Sequence, residues 1–139
     1  MGKHLSEDEY RRIYGEVKTI AVVGASDNPS KAAHGIPAYL RREGYRIIPV
    51  NPRGGEMFGE QVRTSLTEVD VPVDVVDVFR PSEETPEIAR QAAQIGAKVL
   101  WLQSGIINEE AARIGTEAGL DVIMGVCIRT ARKRVEREA

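Results

Sequence analysis

Four times along this chain a short apolar run ends in a polar turn, with helical periodicity between the runs. Ile20–Val23 leads into Gly24-Ala25-Ser26, and Arg46–Val50 into Asn51-Pro52-Arg53. Val75–Val78 leads into Phe79-Arg80-Pro81, and Val99–Leu102 into Gln103-Ser104-Gly105. Strands that alternate with helices pair in parallel, and the carboxyl edge of such a sheet forms the ligand crevice. The pattern predicts an α/β fold with a parallel sheet of five to six strands and helices on both faces. It also places all four turns at one crevice before any motif is read.

At 139 residues and 42% hydrophobic content, the chain is expected to form one domain with a real core. A net charge of −2 without a long block of one sign argues against general nucleic-acid binding. The single cysteine, Cys127, excludes an internal disulfide framework and fits a reducing compartment. No apolar run reaches the roughly 18–20 residues that span a bilayer, and Met1–Tyr10 lacks a signal-peptide core. A soluble, cytoplasmic protein without membrane contact is the expectation.

Element by element, Ser6 and Glu9 have capping-box spacing, so a helix is predicted over about Glu7–Val17 with Tyr10, Ile13, Tyr14 and Val17 on its buried face. Strand Thr19–Val23 follows, then a long turn Gly24–Ala32. The next helix is expected from Ala33 or His34 to Gly44, with Pro37 in its first turn, where a missing amide costs nothing. Strand Tyr45–Val50 comes next. In Gly54–Val73 a short edge strand near Gln61–Val62 and a helical turn near Ser65–Val69 are expected. Strand Asp74–Phe79 leads to a helix capped at Ser82 or Thr85 and ended by Gly96. Strand Lys98–Leu102, helix Glu109–Ala118, strand Val122–Met124 and a charged surface helix Thr130–Glu138 complete the chain.

The turns carry the chemistry. A dinucleotide fingerprint reads G-x-G-x-x-G, and Gly24-Ala25-Ser26-Asp27-Asn28-Pro29 keeps only its first glycine. Ser26 and the neighbouring amides still suit phosphate oxygens. After the second strand an NAD site carries an Asp or Glu for the ribose hydroxyls, whereas this chain has Asn51-Pro52-Arg53. An amide followed by arginine suits a phosphorylated ribose, and both NADP and the 3′-phosphate of coenzyme A (CoA) meet that description.

The order Thr19–Ser26, Gly44–Pro52, Asp74–Ser82 and Gly96–Ile106 resembles the small single-domain CoA-binding proteins, and with them the CoA-binding domain of the succinyl-CoA synthetase alpha subunit. The resemblance spans Lys18–Cys127 and implies a Rossmann-like domain holding CoA or an acyl-CoA. By position it implies Gly24, Ala25 and Ser26 at the phosphates, with Lys31 adding a contact. Asn51, Pro52 and Arg53 would flank the adenosine and its 3′-phosphate. Phe79, Arg80 and Pro81 would line the middle of the cofactor, and Leu102, Gln103 and Ser104 the pantetheine. The exit Met124-Gly125-Val126-Cys127 departs from the acidic or amide residue common in this family.

No catalytic apparatus is expected. The synthetases use a phosphorylated histidine in a second domain, and neither His4 nor His34 is placed to replace it. Ser104-Gly105 is not a nucleophile elbow, and Asp74 and Asp77 point to opposite faces of their strand. No metal motif exists. Cys127 is read as a small buried hydrophobe, with exchange against the CoA thiol as the alternative. The expected role is to sense, carry or present CoA as a binding or regulatory module, with a small NADP- or nucleotide-dependent enzyme as the alternative.

Overall fold

A computed structural model describes residues 5–137 of the chain. His4 and the last residue of the expected terminal helix, Glu138, lie outside that range. The elements run α1 Glu7–Glu16, β1 Thr19–Val23, α2 Ala32–Arg42, β2 Arg46–Val50, β3 Glu56–Met57, β4 Glu60–Gln61, β5 Val75–Val78, α3 Thr85–Gln94, β6 Val99–Leu102, α4 Glu109–Glu117, β7 Asp121–Ile123 and α5 Ile128–Arg137. Single 3-10 turns cover Leu66–Glu68 and Ser82–Glu84. Five strands form one parallel sheet in the order β2-β1-β5-β6-β7, while β3 and β4 make a separate antiparallel hairpin.

Strand side chains alternate between two cores, as a period of two requires when both faces are covered. Ala21, Ile48, Val76, Leu100 and Val122 pack with α3 and α4. Ile20, Val22, Ile47, Val75, Trp101 and Ile123 pack with α1, α2 and α5. The capping box at Ser6 and Glu9 forms as predicted. Among the described residues no helix is long and apolar enough to cross a membrane.

Three expectations need correction. Helix α2 begins at Ala32, so Pro37 lies past the first turn, inside the helix. Its missing amide leaves the Ala33 carbonyl without its usual partner, and the Ser26 amide donates to that oxygen at 3.1 Å. Helix α5 starts two residues before Thr130, at Ile128, whose amide donates to Gln103 Oε1 at 3.3 Å and whose carbonyl accepts from the Tyr14 hydroxyl at 2.8 Å. The last strand ends at Ile123, so Met124 belongs to the following loop. The segment past β2 also covers the sheet edge: Arg63 donates to the Pro49 carbonyl at 3.0 Å and accepts from the Asn51 amide at 2.9 Å.

Candidate functional site

The turn after β1 is fixed on three sides. Gly24 adopts φ +89°, and a Cβ there would stand 2.8 Å from the Phe79 carbonyl and 2.9 Å from Arg80 Cδ. Only glycine permits that conformation and that approach of β1 to the exit of β5. Within the turn, Ser26 Oγ accepts the Asn28 amide at 3.0 Å, and Asn28 Oδ1 accepts the Ser30 amide at 3.0 Å. His34 Nδ1 lies 2.8 Å from the Ser26 carbonyl, which can only accept, so this nitrogen carries the ring proton.

Asn51 ties the second turn to the first. Its Nδ2 donates to the Ala25 carbonyl at 2.8 Å, and its Oδ1 accepts the Arg53 amide at 2.9 Å. Both ends of the side chain are committed, so Asn51 shapes the site rather than offering its amide freely.

These turns border a cavity of about 440 Å³, lined by Gly24, Ala25, Ser26, Lys31, Asn51, Pro52 and Arg53 together with the carboxylate of Asp27, and bounded by Phe79 and Arg80. Neither Lys31 nor Arg53 is ion-paired with another described residue, so both cations remain available to an anion. Arg80 differs: its guanidinium grips Glu84 through two hydrogen bonds of 3.0 and 2.8 Å.

A second cavity, of about 630 Å³, meets the first at Ala33, Phe79 and Arg80. It is mostly apolar and adds Pro81, Gln103 and Ser104 from the expected set, with Ile36, Ile106, Cys127 and Thr130. Twelve expected residues thus line two adjoining cavities along the carboxyl edge. Leu102 does not: it is fully buried in the core against α3 and α4, because its place in β6 turns it away from the opening.

Sequence reasoning missed the floor. Asp77, on β5, is fully buried on the face of α1, α2 and α5. Gln103 Nε2 donates to Asp77 Oδ1, while Asp77 Oδ2 has no partner. Burial pushes the Asp77 carboxyl up to about 7, against the lowering effect of the Gln103 hydrogen bond. Gln103 Oε1 in turn accepts the Ile128 amide at 3.3 Å, and Trp101 Nε1 donates to the Val126 carbonyl at 2.8 Å. The loop that carries Cys127 is therefore anchored to β6. The signal in the sequence was a single charged residue inside the apolar run of β5.

Residues 18–133 match the family described as the CoA binding domain. The uncharacterized protein YneT of Bacillus subtilis is 43% identical over 126 residues, covering 91% of this chain and 93% of its own length. The alpha subunit of ADP-forming acetate–CoA ligase I from Pyrococcus furiosus is 31% identical over 106 residues, 70% of this chain but only 23% of that subunit. The structure called cell-free ID.343 from Thermus thermophilus superposes with a TM-score of 0.91 at 41% identity, covering 94% of this chain and 99% of its own.

Proposed function

We propose, for a chain that belongs to the CoA-binding domain family, that the crevice holds CoA with its phosphates over Gly24–Ser26. Lys31 and Arg53 supply the positive charge, Asn51 and Pro52 border the adenosine, and the pantetheine runs past Phe79, Arg80 and Pro81 to Gln103 and Ser104. One observation carries this reading. Two adjoining cavities that share Ala33, Phe79 and Arg80 run from an end lined by Lys31, Arg53 and Asp27, where neither cation is ion-paired with another described residue, to a mostly apolar end, the order of chemistry of CoA from its phosphates to its pantetheine. A ligand with charge at both ends fits them less well.

The domain acts by binding, as a sensor, carrier or regulatory module. Among the described residues no group of three His, Cys, Asp or Glu side chains is placed to hold a metal ion. His34 spends its protonated nitrogen on the Ser26 carbonyl, and Asp77 lies sealed beneath Gln103. Neither forms a nucleophile–base pair with Ser104 or Cys127.

Native mass spectrometry of freshly purified protein tests the ligand directly, since retained CoA adds its own mass. Thermal-shift scans with CoA, dephospho-CoA, NAD and NADP at equal concentration then rank the candidates, because a ligand of the folded state raises its stability. CoA is expected to give the largest shift. A shift with NADP and none with CoA would transfer the site to an oxidoreductase.

A further inference from the structure

A cavity of about 560 Å³ lies between α2 and the β3–β4 hairpin, lined by His34, Ala38, Arg41, Arg42, Phe58 and Gly59. It shares no lining residue with either cavity along the carboxyl edge, and no carboxylate is among its lining. Its charge is unusual for this molecule. On α1, α3 and α4, Arg11, Arg12, Arg90 and Arg113 each pair with a carboxylate three or four residues away. Helix α2 contains no acidic residue, and neither Arg41 nor Arg42 is ion-paired with another described residue. The acids next in sequence, Glu43 after Arg42 and Glu60 after Gly59, are engaged elsewhere: Arg132 holds Glu43 at 2.7 Å and Arg46 holds Glu60 at 2.8 Å.

The hairpin tip adds an independent observation. Phe58 and Gly59 form a two-residue turn with φ of +54° and +74°, a geometry that favours Asn-Gly. Among the described residues Phe58 alone, glycines aside, has a positive φ, and such strain under a bulky side chain points to a use for the ring. That ring stands against His34, 5.1 Å between centroids and tilted by 36°. His34 is itself held by the Ser26 carbonyl, so the wall is preformed. A Cβ at Gly59 would stand 2.8 Å from the Arg41 guanidinium, so glycine there lets Arg41 lie against the turn. An aromatic wall beside two guanidiniums without carboxylate partners suits a flat ring that carries a phosphate, because guanidinium forks match phosphate oxygens. We infer that this cavity is a second binding site, independent of the CoA site, for a phosphate monoester bearing a flat ring, the shared chemistry of a nucleotide and an aryl phosphate.

Titration calorimetry with AMP, phenyl phosphate, inorganic phosphate and benzoate, each with and without saturating CoA, tests it. AMP or phenyl phosphate is expected to bind at least about tenfold tighter than inorganic phosphate or benzoate with CoA present, and the tighter of the two names the ring. Arg41→Ala and Arg42→Ala are each expected to weaken that binding about tenfold, as the loss of a charge-assisted hydrogen bond does. Phe58→Asn relaxes the turn, so its melting temperature is expected to be no lower than the parent's, while the ring phosphates fall to the affinity of inorganic phosphate. Inorganic phosphate or benzoate bound as tightly as the ring phosphates would overturn the inference. So would displacement of the ring phosphate by CoA, which would return the cavity to the CoA site. A Phe58→Asn variant that melts well below the parent would assign the ring to packing and overturn it as well.

Discussion

Asn51 reaches across from the end of β2 to the Ala25 carbonyl, 2.8 Å away, and that bond requires an amide. A carboxylate has no hydrogen to give. The absence of the NAD-type acid at this position is thus a demand of the scaffold itself. Asn51→Asp is expected to set one oxygen against another, costing about 1–3 kcal/mol of stability, and to weaken CoA without creating NAD affinity. Urea denaturation with ligand titration checks both halves. An aspartate variant that gained NAD binding would show that the amide had only been excluding it.

Arg53→Ala is expected to weaken CoA about tenfold or more with the fold intact, since a charge-assisted hydrogen bond contributes about 1.5–3 kcal/mol. Dephospho-CoA should lose far less, because it lacks the 3′-phosphate. Arg80→Ala is expected to have the smaller effect, as its guanidinium is already gripped by Glu84. Calorimetry on the two variants settles the order. Equal losses would mean that Arg80 leaves Glu84 when the ligand arrives.

Gly24→Ala combines a left-handed φ of +89° with a contact of 2.8 Å to the Phe79 backbone. Backbone atoms cannot swing aside as a side-chain tip can, so β1 and the exit of β5 must separate. A loss of about 1–3 kcal/mol is expected, together with loss of CoA binding. Thermal melts and ligand titration measure it; a variant as stable as the parent would mean that the turn has slack.

Much of this site was readable from residue order alone, because β1, β2, β5 and β6 are short apolar runs whose turn residues follow directly. The register of α2 was not. Proline cost there depends on what becomes of the Ala33 carbonyl, and its partner, Ser26, comes from outside the helix. Asp77 was hidden for a similar reason. Its value lies in Gln103, 26 positions away, and strand alternation says only which face it occupies. Leu102 was misassigned because proximity to a turn does not reveal which way a strand residue points.

Asp77 makes stability depend on pH in an unusual direction. Its folded-state value of about 7 lies above the ordinary 3.8, so the fold retains a proton that the unfolded chain releases. Stability from this group is therefore undiminished below about pH 4, falls as pH rises toward 7, and is level above that. The full difference is at most about 4 kcal/mol. Asp77→Asn, which keeps an acceptor for Gln103, is expected to flatten the decline when urea midpoints are compared from pH 4.5 to 8. An unchanged slope would assign the dependence to other groups.

Cys127 is partly buried and lines the far end of the second cavity. Alkylation by iodoacetamide is expected to proceed in the free protein and to slow at least severalfold with saturating CoA. Mass spectrometry of the modified peptide follows the rate. Labelling indifferent to CoA would move the pantetheine end away from β7.

The partnership of Pro49 and Arg63 has a consequence for the outer border of the sheet. In β2 the Pro49 carbonyl faces away from β1, and the same side of that residue offers no N–H. Arg63 fills the carbonyl and caps the amide of Asn51, so from Pro49 onward a foreign strand finds neither a donor nor an acceptor free to pair with. The segment after β2 thereby guards the carboxyl half of this apolar strand against edge-to-edge pairing.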